Sequence, residues 1–409
     1  MAKRHLIGIG GVGMSALATA LVKLGDTVTG ADRTLGTPNV RFLESLGVKV
    51  FPDDGSGVDA TTDEVVVSTA IEETNAGLKA AKELGIPVTH RAKALARTLG
   101  GYKLVAVVGT CGKSTVTAML GHVLAECGLD PMCVNGANVP GWEGAVRFGR
   151  GAYAVAEVDE SDKSLVAFRP YAAIVTNASA DHYSKEEMDE VFDAFVKDCE
   201  GPVIDGRGSL DVLEGLDALE VPVPGAHNRQ NAEMAVRMAV ALGVSPDRAI
   251  AAMKTFRGVE RRLQLISSAP AVYDDYAHNP EKLHAMWTTL AEKHPGGICV
   301  IWRPHGYAPL RKMMDALAAM FAETVRPQDK LLLLPVYDAG GTTDRSVSSS
   351  DLLEKAKAEG EGGQRIELVS DLDAAYDWCA AHKGDYAAFV TCGARDPGLP
   401  VLARRLGEM

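Results

Sequence analysis

Lys113 ends a turn whose residue types suit phosphate chemistry, in the run VAVVGTCGKSTVT over 105–117. The apolar residues through Val108 predict a buried strand. Gly109, Thr110, Cys111 and Gly112 predict a tight turn, and Ser114 and Thr115 open a helix. Backbone N–H groups at such a turn, with the positive end of the helix, cradle phosphate. An ammonium at its end reaches the β- and γ-phosphates, and the hydroxyl that follows binds Mg²⁺. A standard phosphate loop carries one more glycine where this chain has Val107, so the loop is a shortened variant. An ordinary strand–turn–helix with a surface lysine is the competing reading.

Further polar groups follow other apolar runs. Glu157-Val158-Asp159-Glu160-Ser161-Asp162 follows a buried strand. A carboxylate at a strand's C-terminal end lies over the sheet edge where the phosphate turn opens, and can hold the metal that neutralises phosphate charge. A solvated acidic loop is the alternative. After the run 172–176 come Asn177, Asp181 and His182, and His182 is a candidate ligand for a second divalent ion. Asn228 and Asn231 share one face of a helix, where amides meet a base or the metal shell, or Asn228 merely caps the helix. Arg261 and Arg262 stand at a boundary where a guanidinium meets a γ-phosphate or a developing acyl-phosphate. Asp274, Asp275, His278, Arg303, His305, Tyr307, Tyr337 and Asp338 follow three later strands and rim one crevice for a co-substrate.

A second glycine cluster lies near the start. Gly8, Gly10 and Gly13 match G-x-G-x-x-G, Gly11 adds a fourth glycine, and Asp32 ends the following strand. This is a dinucleotide fingerprint by pattern. Physically it is a backbone that can approach any diphosphate, so a UDP-sugar, NAD and FAD all remain open. A nicotinamide-dependent dehydrogenase built on this turn is one function class. It leaves Lys113, Glu157 and His182 unexplained.

The elements that position these groups alternate. Strands near His5–Ile9, Thr27–Gly30, Val65–Ser68 and Pro87–Thr89 are interleaved with helical stretches, which predicts a parallel α/β sheet. Gly100-Gly101 reads as a linker. A second α/β block runs to Arg262, and a third, again doubly wound, fills 263–409. A chain of 409 residues has room for such a set of domains. The net charge of −12 argues against a nucleic-acid-binding face. Seven cysteines without metal-like pairs suggest reduced thiols and a cytoplasmic setting. The apolar stretch 6–22 mimics a secretory signal, but its glycines read better as a β-α-β unit. No run of transmembrane length is expected.

Taken in order, GIGGVGMSALA, VSTAI, GTCGKST, EVDESD, TNASADH, HNRQNA, RR and DDYAHNP resemble the Mur ligase family of peptidoglycan synthesis, over nearly the whole chain. The resemblance implies three domains: 1–100 binding a UDP-sugar, 101–262 binding ATP, and 263–409 closing over ATP and taking the amino acid. It implies an ATP- and Mg²⁺-dependent joining of the carboxylate of UDP-N-acetylmuramate to an amine, through an acyl-phosphate. L-Alanine is the expected acceptor, another amino acid or a peptide the alternative, and a monomer or homodimer the expected state.

By the same resemblance, Gly109, Thr110, Gly112 and Lys113 hold the phosphates. Ser114, Thr115 and Glu157 bind Mg²⁺ and His182 a second ion. Asn228, Asn231 and Arg262 line the nucleotide pocket, with Asp275 and His278 approaching it. Gly8–Gly13 and Asp32 cradle the UDP portion, with Ser68, Thr69, Ala70 and Ile71 near uridine and Asn135 near the sugar. His305, Tyr307 and Arg311 face the amino acid. The chain departs from the family pattern at Cys111, where histidine is usual. It departs again in PHGYAPLR, where Gly306 and Pro309 replace the arginines expected to bind a carboxylate.

Overall fold

The computed structural model describes residues 1–159, 164–178, 185–338 and 343–409. Three sheets carry the chain, each flanked by helices. The first has five parallel strands in the order Lys49–Pro52, Thr27–Asp32, Lys3–Ile7, Glu64–Val67, Val88–His90. The second has six strands in the order Val203–Asp205, Ala172–Val175, Lys103–Val108, Tyr153–Glu157, Met132–Val134, Val146–Arg147, the last antiparallel. The third also has six: Gln264–Ser268, Ala271–Asp275, Ala388–Cys392, Ile298–Trp302, Lys330–Leu333, Ile366–Leu368, with the first antiparallel. The α/β, three-sheet architecture expected from the alternation is present.

Central strands are apolar throughout because helices cover both faces. Leu104–Val108 and Ile298–Trp302 are buried along their whole lengths. Several short strands, most of them at sheet edges, escaped the sequence reading: Lys49–Pro52, Met132–Val134, Val146–Arg147 and Ile366–Leu368. They are two to four residues long. Too short to show a period, they are defined by the neighbour they pair with.

The chain forms two compact units, Met1–Pro222 with His227–Val259, and Val223–Ala226 with Glu260–Met409. In the first unit Gly100-Gly101 is a turn and not a gap. One core runs through both sheets, joining Leu6, Leu17 and Val66 with Leu104, Ala106 and Val134. In the second unit, Trp287, Trp302 and Phe321 pack edge to face beneath the sheet. Among the described residues, no helix is long and apolar enough to cross a membrane.

Candidate functional site

The phosphate turn forms as the sequence predicts. The strand Lys103–Val108 stops at Gly109, and the helix Lys113–Glu126 starts with Gly112 as its N-cap at φ 83°, a left-handed conformation that disfavours any side chain. No side chain caps this helix, so its first N–H groups are available to an anion. Lys113 Nζ donates to Gly109 O at 2.6 Å, which folds the ammonium back across its own turn. Ser114 and Thr115 are buried behind it.

The loop is held from the neighbouring strand. Asn177 follows Ala172–Val175, and its Oδ1 accepts from Thr110 Oγ1 at 2.6 Å and from Cys111 N at 2.9 Å. Asn177 Nδ2 and Thr176 Oγ1 both donate to Cys111 O, at 3.0 and 2.6 Å. Cys111 therefore serves through its backbone. The sequence reading named Asn177 without a role; no local signal ties it to a turn so distant along the chain.

Glu157 ends the strand on the other side of Lys103–Val108, in register with Val107. Its Oε2 accepts from Gly136 N at 2.8 Å. A Cβ at position 136 would overlap that carboxylate, so glycine is required for the approach. Beside it, Asn135 is buried and its Nδ2 has no partner among the described residues, a donor open to a ligand. Asn228 and Asn231 are buried on one face of the helix Ala226–Ala241, and Asn231 lies against Gly112. Lys113, Ser114, Thr115, Glu157, Asn135 and Asn231 thus converge on one sheet edge. Glu160, Ser161, Asp162, Asp181 and His182 lie outside the described residues.

These groups fit a nucleoside triphosphate with its metal. The uncapped helix start, the left-handed Gly112 and one ammonium match a phosphate chain. Two hydroxyls and a carboxylate are the hard oxygen donors Mg²⁺ takes alongside water.

The first glycine turn is built differently. Gly11 is the N-cap of the helix Val12–Lys23 and has no side-chain cap bond. Asp32, predicted to meet a ligand, accepts from Gly10 N at 2.8 Å and from Thr34 N at 2.9 Å. It shapes the turn itself. Asn39 Nδ2 donates to Gly10 O at 2.9 Å. Ser68, Thr69, Ala70 and Ile71 form the turn after Glu64–Val67, with Ile71 against Gly8. Arg91 was missed by the sequence reading. It opens the helix Arg91–Thr98, and a Cβ on Gly13 would meet its Nη1 at 3.0 Å. A cation at the end of the sheet's last strand was the available signal.

In the second unit, the polar residues gather where Ala271–Asp275, Ala388–Cys392 and Ile298–Trp302 end side by side. Asp275 is buried; its Oδ2 accepts from Leu263 N and its Oδ1 from Ala277 N, both at 2.7 Å. It holds the entering backbone in place. Arg262 stacks over the Tyr276 ring at 5.1 Å. Arg261 bonds Asp274 at 3.0 Å, yet burial pushes the Asp274 carboxyl up to about 6. His278 and His305 meet edge to face at 4.9 Å. Burial, with His278, Arg395 and Lys282 nearby, lowers His305 to about 4. Tyr307 lines a hollow of about 220 Å³ with Val336 and Ser348. Arg311 is engaged elsewhere, with Asp344 at 2.7 Å and Ser346 Oγ at 3.1 Å.

Residues 3–103 match the family model described as the Mur ligase family catalytic domain, and residues 261–395 match that of the Mur ligase glutamate ligase domain. A UDP-N-acetylmuramate–L-alanine ligase of Paenarthrobacter aurescens is 35% identical, across 98% of this chain and 97% of that protein. The crystal structure of the UDP-N-acetylmuramate–alanine ligase of Thermotoga maritima matches with a TM-score of 0.80 at 24% identity, covering 100% of this chain and 99% of that one. A murein peptide ligase of Psychrobacter arcticus matches with a TM-score of 0.68 at 21% identity, covering 100% and 99%. The two structures speak for the fold. The first relative, alike along nearly its whole length, speaks for descent, and with both family models it shows that this chain belongs to the Mur ligase family.

Proposed function

We propose that this chain is an ATP-dependent ligase joining the carboxylate of UDP-N-acetylmuramate to the amine of L-alanine, with release of ADP and phosphate. The observation that carries the reading is the convergence of Lys113, Ser114, Thr115 and Glu157 on one sheet edge. It occurs in a chain 35% identical to a UDP-N-acetylmuramate–L-alanine ligase. A dehydrogenase built on the first glycine turn is not favoured, since it gives that convergence no task.

The chemistry follows in two steps. A carboxylate oxygen of the sugar nucleotide attacks the γ-phosphorus of ATP, the bond to the β-bridging oxygen breaks, and ADP leaves. The amine nitrogen then attacks the acyl carbon, a proton leaves the nitrogen, and inorganic phosphate departs. Phosphoryl transfer of this kind depends on positioning and charge neutralisation more than on covalent help. Lys113 exchanges its bond to Gly109 O for the β- and γ-phosphates. The helix N–H groups take the phosphate oxygens. Ser114, Thr115 and Glu157 hold Mg²⁺, which supplies further neutralisation. Gly109, Thr110 and Gly112 shape the cradle, and Asn228, Asn231, Arg262, Asp275 and His278 surround the nucleotide. The first glycine turn, Gly8 to Gly13, takes the UDP diphosphate, with Ser68–Ile71 and Asn135 along the rest of that substrate.

The proposed domains are 1–100, 101–262 and 263–409, in a cytoplasmic monomer or homodimer. Phosphate release from UDP-N-acetylmuramate and Mg·ATP is expected to require an amino acid and to be strongest with L-alanine. Release with no amino acid dependence, or none with any amino acid, overturns the reading.

A further inference from the structure

At the C-terminal edge of the third sheet, Arg395 is a guanidinium that no acid neutralises among the described residues. Several arginines surround the loops after Ile298–Trp302 and Ala388–Cys392, among them Arg261, which donates to Gly393 O and Ala394 O. Arg303 Nη1 bonds Asp396 Oδ2 at 2.6 Å, and the other Asp396 oxygen accepts from Gly398 N at 2.8 Å. Arg311 is paired with Asp344, and Arg345 with Asp338 at 2.7 Å. Asp275 is occupied by two backbone N–H groups, and Asp274 by Arg261 and Thr391. Arg395 is left exposed, with no ion pair or hydrogen bond among the described residues.

Its position is defined. The strands Ile298–Trp302 and Ala388–Cys392 are parallel neighbours, in register at Trp302 and Cys392. Their following loops are tied, since Arg303 N donates to Cys392 O at 3.2 Å. A Cβ on Gly306 would lie 3.9 Å from Arg395 Nη1. Arg395 therefore covers Gly306, a position where an arginine was expected from the sequence. His305, held largely neutral at pH 7, adds an N–H donor without competing as a cation.

We propose that Arg395 binds the α-carboxylate of the acceptor amino acid, with His305 beside it. The inference rests on the ligase reading and adds the group that recognises the acceptor. A planar guanidinium with no partner among the described residues, at the open ends of three parallel strands, suits a bidentate carboxylate. Arg311, the arginine the sequence offered for this task, already has acceptors in Asp344 and Ser346.

The experiment is steady-state phosphate release with saturating UDP-N-acetylmuramate and Mg·ATP, after a screen of the twenty amino acids identifies the acceptor. Arg395→Ala is expected to raise the acceptor's KM by about ten- to a hundredfold, with the KM values for ATP and the sugar nucleotide unchanged. Arg395→Lys should recover part of that loss. With the acceptor's amide, which has no carboxylate, wild type and Arg395→Ala should perform alike. Thermal melting of both proteins reports whether the fold survives. An unchanged KM for the acceptor, or an equal loss with the amide, overturns the role of Arg395 while leaving the ligase reading intact. No release with any amino acid overturns both.

Discussion

The two glycine turns of the first unit use the same backbone device and treat its charge in opposite ways. At Gly8–Gly13 the turn closes on an internal carboxylate: Asp32 accepts the Gly10 N–H, and the nearby cation, Arg91, arrives from another strand end. At Gly109–Gly112 amide and hydroxyl side chains brace the loop, and the cation is the loop's own Lys113. Their strands differ as well. Lys3–Ile7 carries a buried histidine, whereas Leu104–Val108 is wholly apolar. Strand–glycine–helix geometry thus makes a phosphate cradle generic, and the residues brought to it from elsewhere decide how much negative charge it is built to take.

The largest effect should come from the second turn. Lys113→Ala is expected to lower kcat by about 10²- to 10³-fold, the usual cost of losing a donor to transition-state charge, with protein stability little changed. Near-normal phosphate release would remove the distinction between the turns, because the cation of the second turn would then be dispensable.

The strand beneath the first turn should make that half of the molecule sensitive to acid. His5 is buried, its Nδ1 is 2.9 Å from Thr29 Oγ1, and burial lowers it from 6.5 to about 4. Below pH 6.5 the unfolded chain takes this proton first. Stability is therefore fully present above 6.5 and declines as pH falls toward 4, by on the order of 3 kcal/mol for a group perturbed in this way. Chemical denaturation followed from pH 7.5 to 4.5 should show the decline, and His5→Gln should flatten it. An identical slope in the variant would assign the acid sensitivity to another group.

The smallest effect sharpens the assignment of ligands. Arg91→Ala should raise KM for the UDP-linked substrate about tenfold and leave KM for ATP unchanged. Parallel changes in both constants would show that Arg91 supports the fold and not one turn.

Local covalent rules were enough for part of this. Both glycine turns, the helices they open and the α/β class were legible because glycine placement and apolar runs are short-range properties. Lys113 and Glu157 were legible as residues that end or follow strands. Asp32 and Asp275 were read as ligand contacts, and in the structure each carboxylate also accepts two backbone N–H groups. A sequence displays the acid and not the amides that reach it.

The amino-acid sequence by itself determined the elements, their alternation and the chemistry available at each strand end, since these depend on neighbours within a few residues. Only tertiary structure decided who meets whom. Parallel pairing brings Asn177 to Cys111, Arg91 to Gly13 and Arg395 to Gly306 across long stretches of chain. Which guanidiniums are already paired follows from those meetings, because a charge is neutralised by what lies within a few ångströms in space and not by what lies beside it in the chain.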